Sequence, residues 1–375
     1  MTRSSIVVLA AVLVRSAVAI PIASAQEIRL QAARATARGP GEVSDAQPDA
    51  PAADRSPWLL VPLVSSNPKL GTSVGGLGAY ARAFDAGSPV SLIGGMYQYS
   101  STESSIGAAF ARTSFSADHH RITAIAVFGL VRNDYQDYLG TGQPLKTDDH
   151  LKTVAARYQY RIGGDWFIGA QANAANYQVL GATPEDDLVL ETLGVRGFSS
   201  AALGAVVMHD SRDNLDMPAS GWYANLNNLA YREAFGGSSS FDAYRADAKT
   251  FLKHGGRHVL AFRQFNWLTD DAPSGGQATV ILRGYKLGQY LAPYMSSFEA
   301  EERLLFGRRW GATLFGGVAA LYGSSSPPLE RQYYPTWGLG LQFIVKPAQH
   351  MLANLEYAQG VEDNHGLYLK FGYGW

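Results

Sequence analysis

Several stretches of this chain bring together residue types that catalysts use. Gly71-Thr72-Ser73-Val74-Gly75 has the spacing of a nucleophile elbow, in which a serine sits on a sharp strand-to-helix turn. No helical pattern follows, so a glycine-rich strand is expected there instead. His209-Asp210-Ser211 holds the three residue types of an acyl-transfer triad, yet neighbours at a strand end point in different directions and cannot relay a proton. The eight histidines are scattered: His119-His120 falls at a turn, and His150 in an outer loop beside Asp148 and Asp149. None has metal-ligand spacing. Glu185-Asp186-Asp187 reads as a solvated acidic loop. Cysteine is absent, which removes disulfides, thiol catalysis and zinc–thiolate sites. A lipid-processing enzyme would need a Ser/His/Asp or histidine-based constellation at the rim of adjacent strands, and none can be assembled. The expectation is a protein that is not an enzyme and carries neither metal nor cofactor.

The elements that would position these residues are strands of one kind. Leu367, Leu369, Phe371, Tyr373 and Trp375 alternate with Gly366, Tyr368, Lys370, Gly372 and Gly374 at the carboxyl end. That is a period of two with an apolar, aromatic face, the pattern of an outer-membrane barrel's closing strand. In 153–162, Val154, Ala156, Tyr158, Tyr160 and Ile162 oppose Thr153, Arg157, Gln159 and Arg161. Tyr244, Ala246, Ala248 and Leu252 likewise oppose Arg245, Asp247 and Lys249. Charges at every second position cannot face a dry core, whereas a wet lumen accepts them.

Strands are expected over 58–65, 71–84, 89–100, 104–116, 119–131, 151–162, 165–178, 199–210, 219–231, 240–253, 256–268, 297–306, 310–322, 333–345, 349–359 and 364–375. If the first runs outward, the outer connections include the long 132–150, 179–198, 269–296 and 323–332, while inner ones such as Gly163-Gly164 are short. The predicted fold is all-β, a 16-stranded antiparallel transmembrane barrel.

Composition agrees. The 375 residues carry 40 glycines, 20 tyrosines and 7 tryptophans, turn formers and interface aromatics. With 31 basic and 32 acidic residues, no nucleic-acid partner is implied. Arg3, the apolar run Ile6–Val14 and Ala23-Ser24-Ala25 form an expected export signal over 1–25. Residues 26–56 form a flexible periplasmic lead-in, and 57–375 the barrel. Beyond the signal no run of about 18 apolar residues exists for a membrane helix.

Ile281-Leu282-Arg283-Gly284-Tyr285 is similar to the (Val/Ile)-Arg-Gly-(Phe/Tyr) signature of the BamA/TamA family, the bacterial surface antigen barrels. Three further stretches resemble that family, in its order. They are Asp210-Ser211-Arg212-Asp213-Asn214 with Pro218 to Tyr223, Glu301-Glu302-Arg303 through Arg309, and Gly338-Leu339-Gly340 through Tyr357. The resemblance covers roughly 58–375. It implies that the sixth outer loop, which carries Arg283, folds into the lumen, and that the barrel assists insertion or translocation of proteins or lipids. Its partners would be outer-membrane lipid, lipopolysaccharide and unfolded outer-membrane protein clients. A guanidinium in a narrow lumen must find carboxylates or carbonyls. Glu299, Glu301 and Arg303 share one face of the twelfth strand, and Glu301 matches the family's acidic position. The clamp is therefore expected to comprise Arg283, Gly284, Tyr285, Glu299 and Glu301, whether it stiffens a plug or takes part in gating.

Two departures from the family stand out. Where the family commonly has an aspartate on strand thirteen, this chain reads Leu314-Phe315-Gly316-Gly317, so the clamp is looser or Glu299 substitutes. Only 26–56 precede the first strand, in place of the family's client-receiving POTRA domains. The closing seam is expected to be weak, because Pro62 lacks a ladder donor and Gly372 and Gly374, beside Trp375, offer little packing. A passive pore and a structural or adhesive surface barrel remain alternative readings.

Overall fold

Lipid offers no partner for a strand's N–H and C=O groups, so a spanning sheet must satisfy them strand to strand. The computed structural model describes residues 57–67, 71–135, 145–193, 197–213, 218–273, 276–285, 290–306, 309–323, 331–346, 351–361 and 364–371. The expected signal 1–25 and lead-in 26–56 lie outside them, as do Gly372, Gly374 and Trp375. The strands are β1 (Trp58–Asn67), β2 (Gly71–Arg82), β3 (Ser91–Ser100), β4 (Ser105–Phe115), β5 (His120–Tyr135), β6 (Leu145–Gly163), β7 (Trp166–Gly181), β8 (Gly197–Asp210) and β9 (Gly221–Tyr231). They continue with β10 (Phe241–His254), β11 (His258–Asp270), the two-residue β12 (Ala278–Thr279) and β13 (Leu291–Ala292), then β14 (Tyr294–Phe306), β15 (Trp310–Tyr322), β16 (Tyr333–Lys346), β17 (Met351–Gln359) and β18 (His365–Phe371). An α-helix, α1 (Pro184–Leu193), lies between β7 and β8. No helix among the described residues is long and apolar enough to cross a membrane.

All but β12 and β13 join one 16-stranded antiparallel sheet in strict chain order. Each of the sixteen expected strands coincides with an observed one. Burial is inverted relative to a water-soluble protein. Leu314, Leu339 and Val154 are more than half exposed, whereas Glu301, Gln342 and Glu356 are buried. Along β6, Val154, Tyr158 and Tyr160 are exposed while Thr153 and Gln159 are buried. The fold is a transmembrane barrel with an apolar exterior and a polar lumen.

The connections segregate. One rim carries the long loops; the other carries short turns such as 116–119 and 255–257, with 211–220 the longest. The turn 116–119 holds three consecutive non-glycine residues, Ser116, Ala117 and Asp118, at φ of 57°, 52° and 62°. Such left-handed conformations cost about 1 kcal/mol or more each, and neighbouring groups offset the cost. Asp85 Oδ1 accepts from the Ala117 N–H at 3.1 Å, and Ser88 Oγ from the Asp118 N–H at 2.8 Å. The Asp118 carboxylate takes Arg121 at 2.6 Å and also Arg161. Both guanidiniums lie against the buried Phe167 ring, 4.0 and 4.8 Å from its centroid. Burial alone would raise the Asp118 pKa. The Arg121 fork, the Ser114 hydroxyl and the Arg161 charge outweigh it, holding the carboxyl below its ordinary range.

Several expectations need correction. Both ends of the outer connection 132–150 are strand, since β5 runs to Tyr135 and β6 begins at Leu145; His150 thus sits within β6. Beyond the lipid an outward-facing position no longer has to be apolar, so charge pairs such as Arg132 with Glu103 take over and the alternation fades. Glu185-Asp186-Asp187 is the first turn of α1 rather than an open loop. Thr183 caps it, accepting from the Asp186 N–H at 3.2 Å and donating to the Asp186 carboxylate at 2.8 Å. Carboxylates there also favour the helix dipole, and the buried Leu190 fastens the helix.

Leu339 lies in the middle of β16 on the lipid face. Leu339→Arg should destabilise the barrel by about 2–4 kcal/mol, read from denaturant unfolding in lipid vesicles. A depressed carboxyl pKa contributes stability above the ordinary range, lost as pH falls through the folded value. Asp118→Asn should therefore lower heat resistance at pH 7. That deficit should shrink as the pH is taken below about 3.9.

Candidate functional site

The connection from β11 to β14 folds inward from the loop rim. The short β12–β13 ladder, Ala278 opposite Ala292 and Thr279 opposite Leu291, draws its two arms together. Beyond this neck Val280, Leu282 and Tyr285 pack with Phe265, Met295, Ala319, Leu321 and Tyr334 of the barrel wall. Burying each aliphatic side chain contributes about 1.5–3 kcal/mol, enough to hold a plug against the upper wall. Apolar packing does not fix its register; the polar groups at its tip do.

Arg283 occupies that tip. Its Nη1 donates to Glu301 Oε2 at 2.7 Å and lies 3.5 Å from Glu356 Oε2, while Nη2 lies 3.5 Å from Glu299 Oε2. The flat face of the guanidinium covers the Phe315 ring, 3.4 Å from its centroid. The arginine is thus bounded by β14, β15 and β17 at once. Its carbonyl accepts from the Thr336 hydroxyl at 2.6 Å. The Gly284 N–H donates to the Tyr368 hydroxyl at 2.9 Å, which reaches β18. The Tyr285 hydroxyl donates to the Pro335 carbonyl at 2.6 Å and accepts from the Val361 N–H at 3.0 Å. Position 284 requires glycine: its φ is 95°, and a Cβ there would stand 3.1 Å from the Gly360 nitrogen. Gly360 in turn leaves room for the Tyr285 ring, which a Cβ would meet at 2.6 Å.

The structure therefore brings Arg283, Gly284, Tyr285, Glu299 and Glu301 into one site. The sequence reading missed Glu356 and the part played by Phe315. At the expected aspartate position an aromatic face stacks on the guanidinium, and the further carboxylate comes from β17. An acidic residue opposite Gly340 on an inward-facing β17 position was the available signal. Pro62 pairs with Gly76 within β1–β2; the other seam residues fall outside the described set.

Charges continue along the wall in an alternating chain. Lys249 and Arg263 both hold Asp247, at 3.3 and 2.9 Å, and Arg263 lies 3.7 Å from Glu299. Arg303 Nε donates to the second oxygen of Glu301 at 2.7 Å. With Glu356, the four cations Lys249, Arg263, Arg283 and Arg303 meet the four anions Asp247, Glu299, Glu301 and Glu356. Such balance is what low-dielectric burial demands. The former triad candidates diverge. His209 stacks on Trp222 at 3.7 Å, while Asp210 holds Arg212 at 2.7 Å. Ser73 lies in β2 with no elbow. No cluster of three or more His, Asp or Glu suited to a metal occurs among the described residues.

No protein-family model matches the chain, and no curated protein matches it by sequence. Among solved structures it is similar to BamA from Haemophilus ducreyi lacking POTRA domains 1–3, at 11% identity and a TM-score of 0.53, over 93% of this chain and 76% of that one. It is also similar to CdiB from Escherichia coli, at 11% identity and a TM-score of 0.59, over 87% of this chain and 63% of that one. CdiB from Acinetobacter baumannii gives 10% identity and a TM-score of 0.56, over 84% and 57%. The chain thus spans less than two thirds of either CdiB chain.

Removing Arg283 would take away the cation that Glu299, Glu301 and Glu356 share. Arg283→Ala should cost about 3–5 kcal/mol, seen as lower folded yield and lower heat resistance. Arg283→Lys, which keeps charge but loses the fork and the stacking, should fall between the variant and the parent. With its plugged lumen and continuous sixteen-stranded ladder, the chain has the barrel fold of BamA and CdiB.

Proposed function

We propose that this protein is an outer-membrane member of the BamA/TamA family that assists insertion or translocation of other proteins, or of lipids. The observation that carries the reading is the inward-folded loop, clamped through Arg283 to Glu301, Glu299 and Glu356 inside a barrel of this fold. A barrel serving only as an anchor has no need of a plug fastened by a costly buried ion cluster. In this reading the amino terminus is periplasmic and the short-turn rim faces the periplasm. No catalytic group or cofactor takes part.

The physical route is strand addition. β1 and β18 are the two ends of the sheet order, so the seam between them is the place where pairing is exchanged. Pro62 donates no ladder bond there. Each ladder bond nets only about 1 kcal/mol when exchanged for another, so a client strand can replace the native pairing one bond at a time. Unfolded outer-membrane proteins are the proposed clients, and phospholipid and lipopolysaccharide the surroundings.

A passive pore or an adhesive surface barrel would leave the levels of other outer-membrane proteins unchanged when this protein is depleted; the proposal expects those levels to fall. A disulfide joining β1 to β18 should abolish the activity and reduction should restore it. Full activity in the locked form would defeat the seam mechanism.

A further inference from the structure

The balance of charge seen around Arg283 fails on the wall between β6 and β11. Two guanidiniums face the lumen there, Arg157 of β6 and Arg245 of β10, and neither forms an ion pair among the described residues. Arg157 Nε and Nη2 donate to Gln171 Oε1 at 3.1 and 2.6 Å. Gln171 Nε2 donates to Asn227 Oδ1 at 3.0 Å, and Asn227 Nδ2 to Asn225 Oδ1 at 2.7 Å. Every side-chain oxygen along this rail is thereby engaged. What the wall has left over is donors. Arg245 Nε, Trp267 Nε1 and the Nδ2 of Asn225, a residue only 5% exposed, are buried without a hydrogen-bond partner. The three belong to one patch: register sets Arg245 opposite Asn227 on β9 and opposite Trp267 on β11. The Arg245 guanidinium lies over the Trp267 ring, 4.3 Å from its centroid.

We propose that this patch of the lumen wall binds a phosphate-type oxyanion, held by Arg245 and Arg157 with Asn225 and Trp267 donating to it. The carboxylates that could have served as counter-ions are committed elsewhere. On β10 itself, Asp247 holds Lys249 and Arg263, and Asp242 holds Arg232. β7 and β9 carry no acidic residue, and the one on β8, Asp210, holds Arg212. The two guanidiniums are near enough to repel each other. A pair of like charges taken out of bulk water needs an opposite charge and hydrogen-bond acceptors. An anion with several oxygens supplies both at once, and the planar guanidinium fork matches two of them. A carboxylate offers two oxygens in one plane, whereas unpartnered donors on β9, β10 and β11 favour acceptors pointing in several directions. The anion is either free inorganic phosphate or the phosphate of a lipid headgroup, which share this chemistry. The inference goes beyond the proposed activity and does not depend on it.

Heat resistance of the folded full-length barrel in detergent micelles would be measured at pH 7, in chloride and in inorganic phosphate at equal ionic strength. A ligand at ten times its Kd multiplies the folded-to-unfolded ratio by about 11, a rise of about 2–4 °C in Tm. The parent should show that rise and Arg245→Met should lose it. In chloride the same variant should be at least as heat-resistant as the parent, because an unpaired buried charge gives way to an apolar chain that still contacts the Trp267 ring. Should Arg245→Met yield no folded barrel, Arg157→Met replaces it, with the same loss of the phosphate response expected. A parallel series in mixed micelles, carrying phosphatidylglycerol in place of free phosphate, separates the two sources. A rise with phosphate alone assigns the site to the free ion; a rise with the lipid, lost in the variant, assigns it to the headgroup. A parent that responds to neither, or a response that the variants retain in full, overturns the site. No client protein enters this assay, so its failure and the failure of the insertion reading are separate results.

Discussion

Every peptide group in a membrane-spanning segment needs a hydrogen-bond partner from the protein, because hydrocarbon supplies none. In this chain the ladders that join sixteen antiparallel strands in chain order, from β1 to β18, answer that demand between neighbouring strands, with irregularities at β6–β7 and β16–β17. Two consequences follow from the pleat. One side of each strand meets lipid and becomes apolar, as at Leu314, Leu339 and Leu355. The other side turns inward, and there the charged Arg263, Glu299, Glu301, Arg303 and Glu356 are buried. The remainder of the structure reconciles those two sides.

The reconciliation centres on one carboxylate. Ionised side chains removed from bulk water are tolerated only where opposite charges and hydrogen bonds surround them. Glu301 meets that condition with a different arginine on each oxygen. One of them arrives on a loop from the far rim. The plug is therefore part of the wall's charge balance as well as a filler of space, and its apolar body and ionic tip reinforce each other. The Phe315 ring beneath Arg283 supplies a face where another carboxylate would have added excess negative charge to a site already holding Glu299, Glu301 and Glu356.

Legibility followed the physics. Strands could be placed because lipid on one side and a wet lumen on the other force a period of two, which survives in single segments such as 153–162. Where β5 and β6 extend past the lipid, that force ends, and their outer ends, 132–135 and 145–150, read as loop. The acidic start of α1 was misread because solvation and helix capping call for the same residue types. In the site, Arg283 and Glu301 were legible as a motif and an alternating strand. Glu356 was not, because nothing local to β17 says which of the lumen's residues lies across from it. Arg303 was recognised as lumen-facing, but its bond to the Pro218 carbonyl, 85 residues distant in the chain, carried no trace.

By itself the sequence determined the alternation, hence the number of strands, the side each residue faces and the rim on which each long connection falls. These are properties of nearest neighbours and of turn length, and they need no knowledge of distant contacts. Tertiary structure alone decided which charges meet, because curvature of the wall brings together residues from β10, β11, β14, β15 and β17 across a lumen that no local pattern describes. It alone decided, too, that connections from both rims converge on β14, since a loop's destination depends on the space the barrel leaves it and on the charge waiting there.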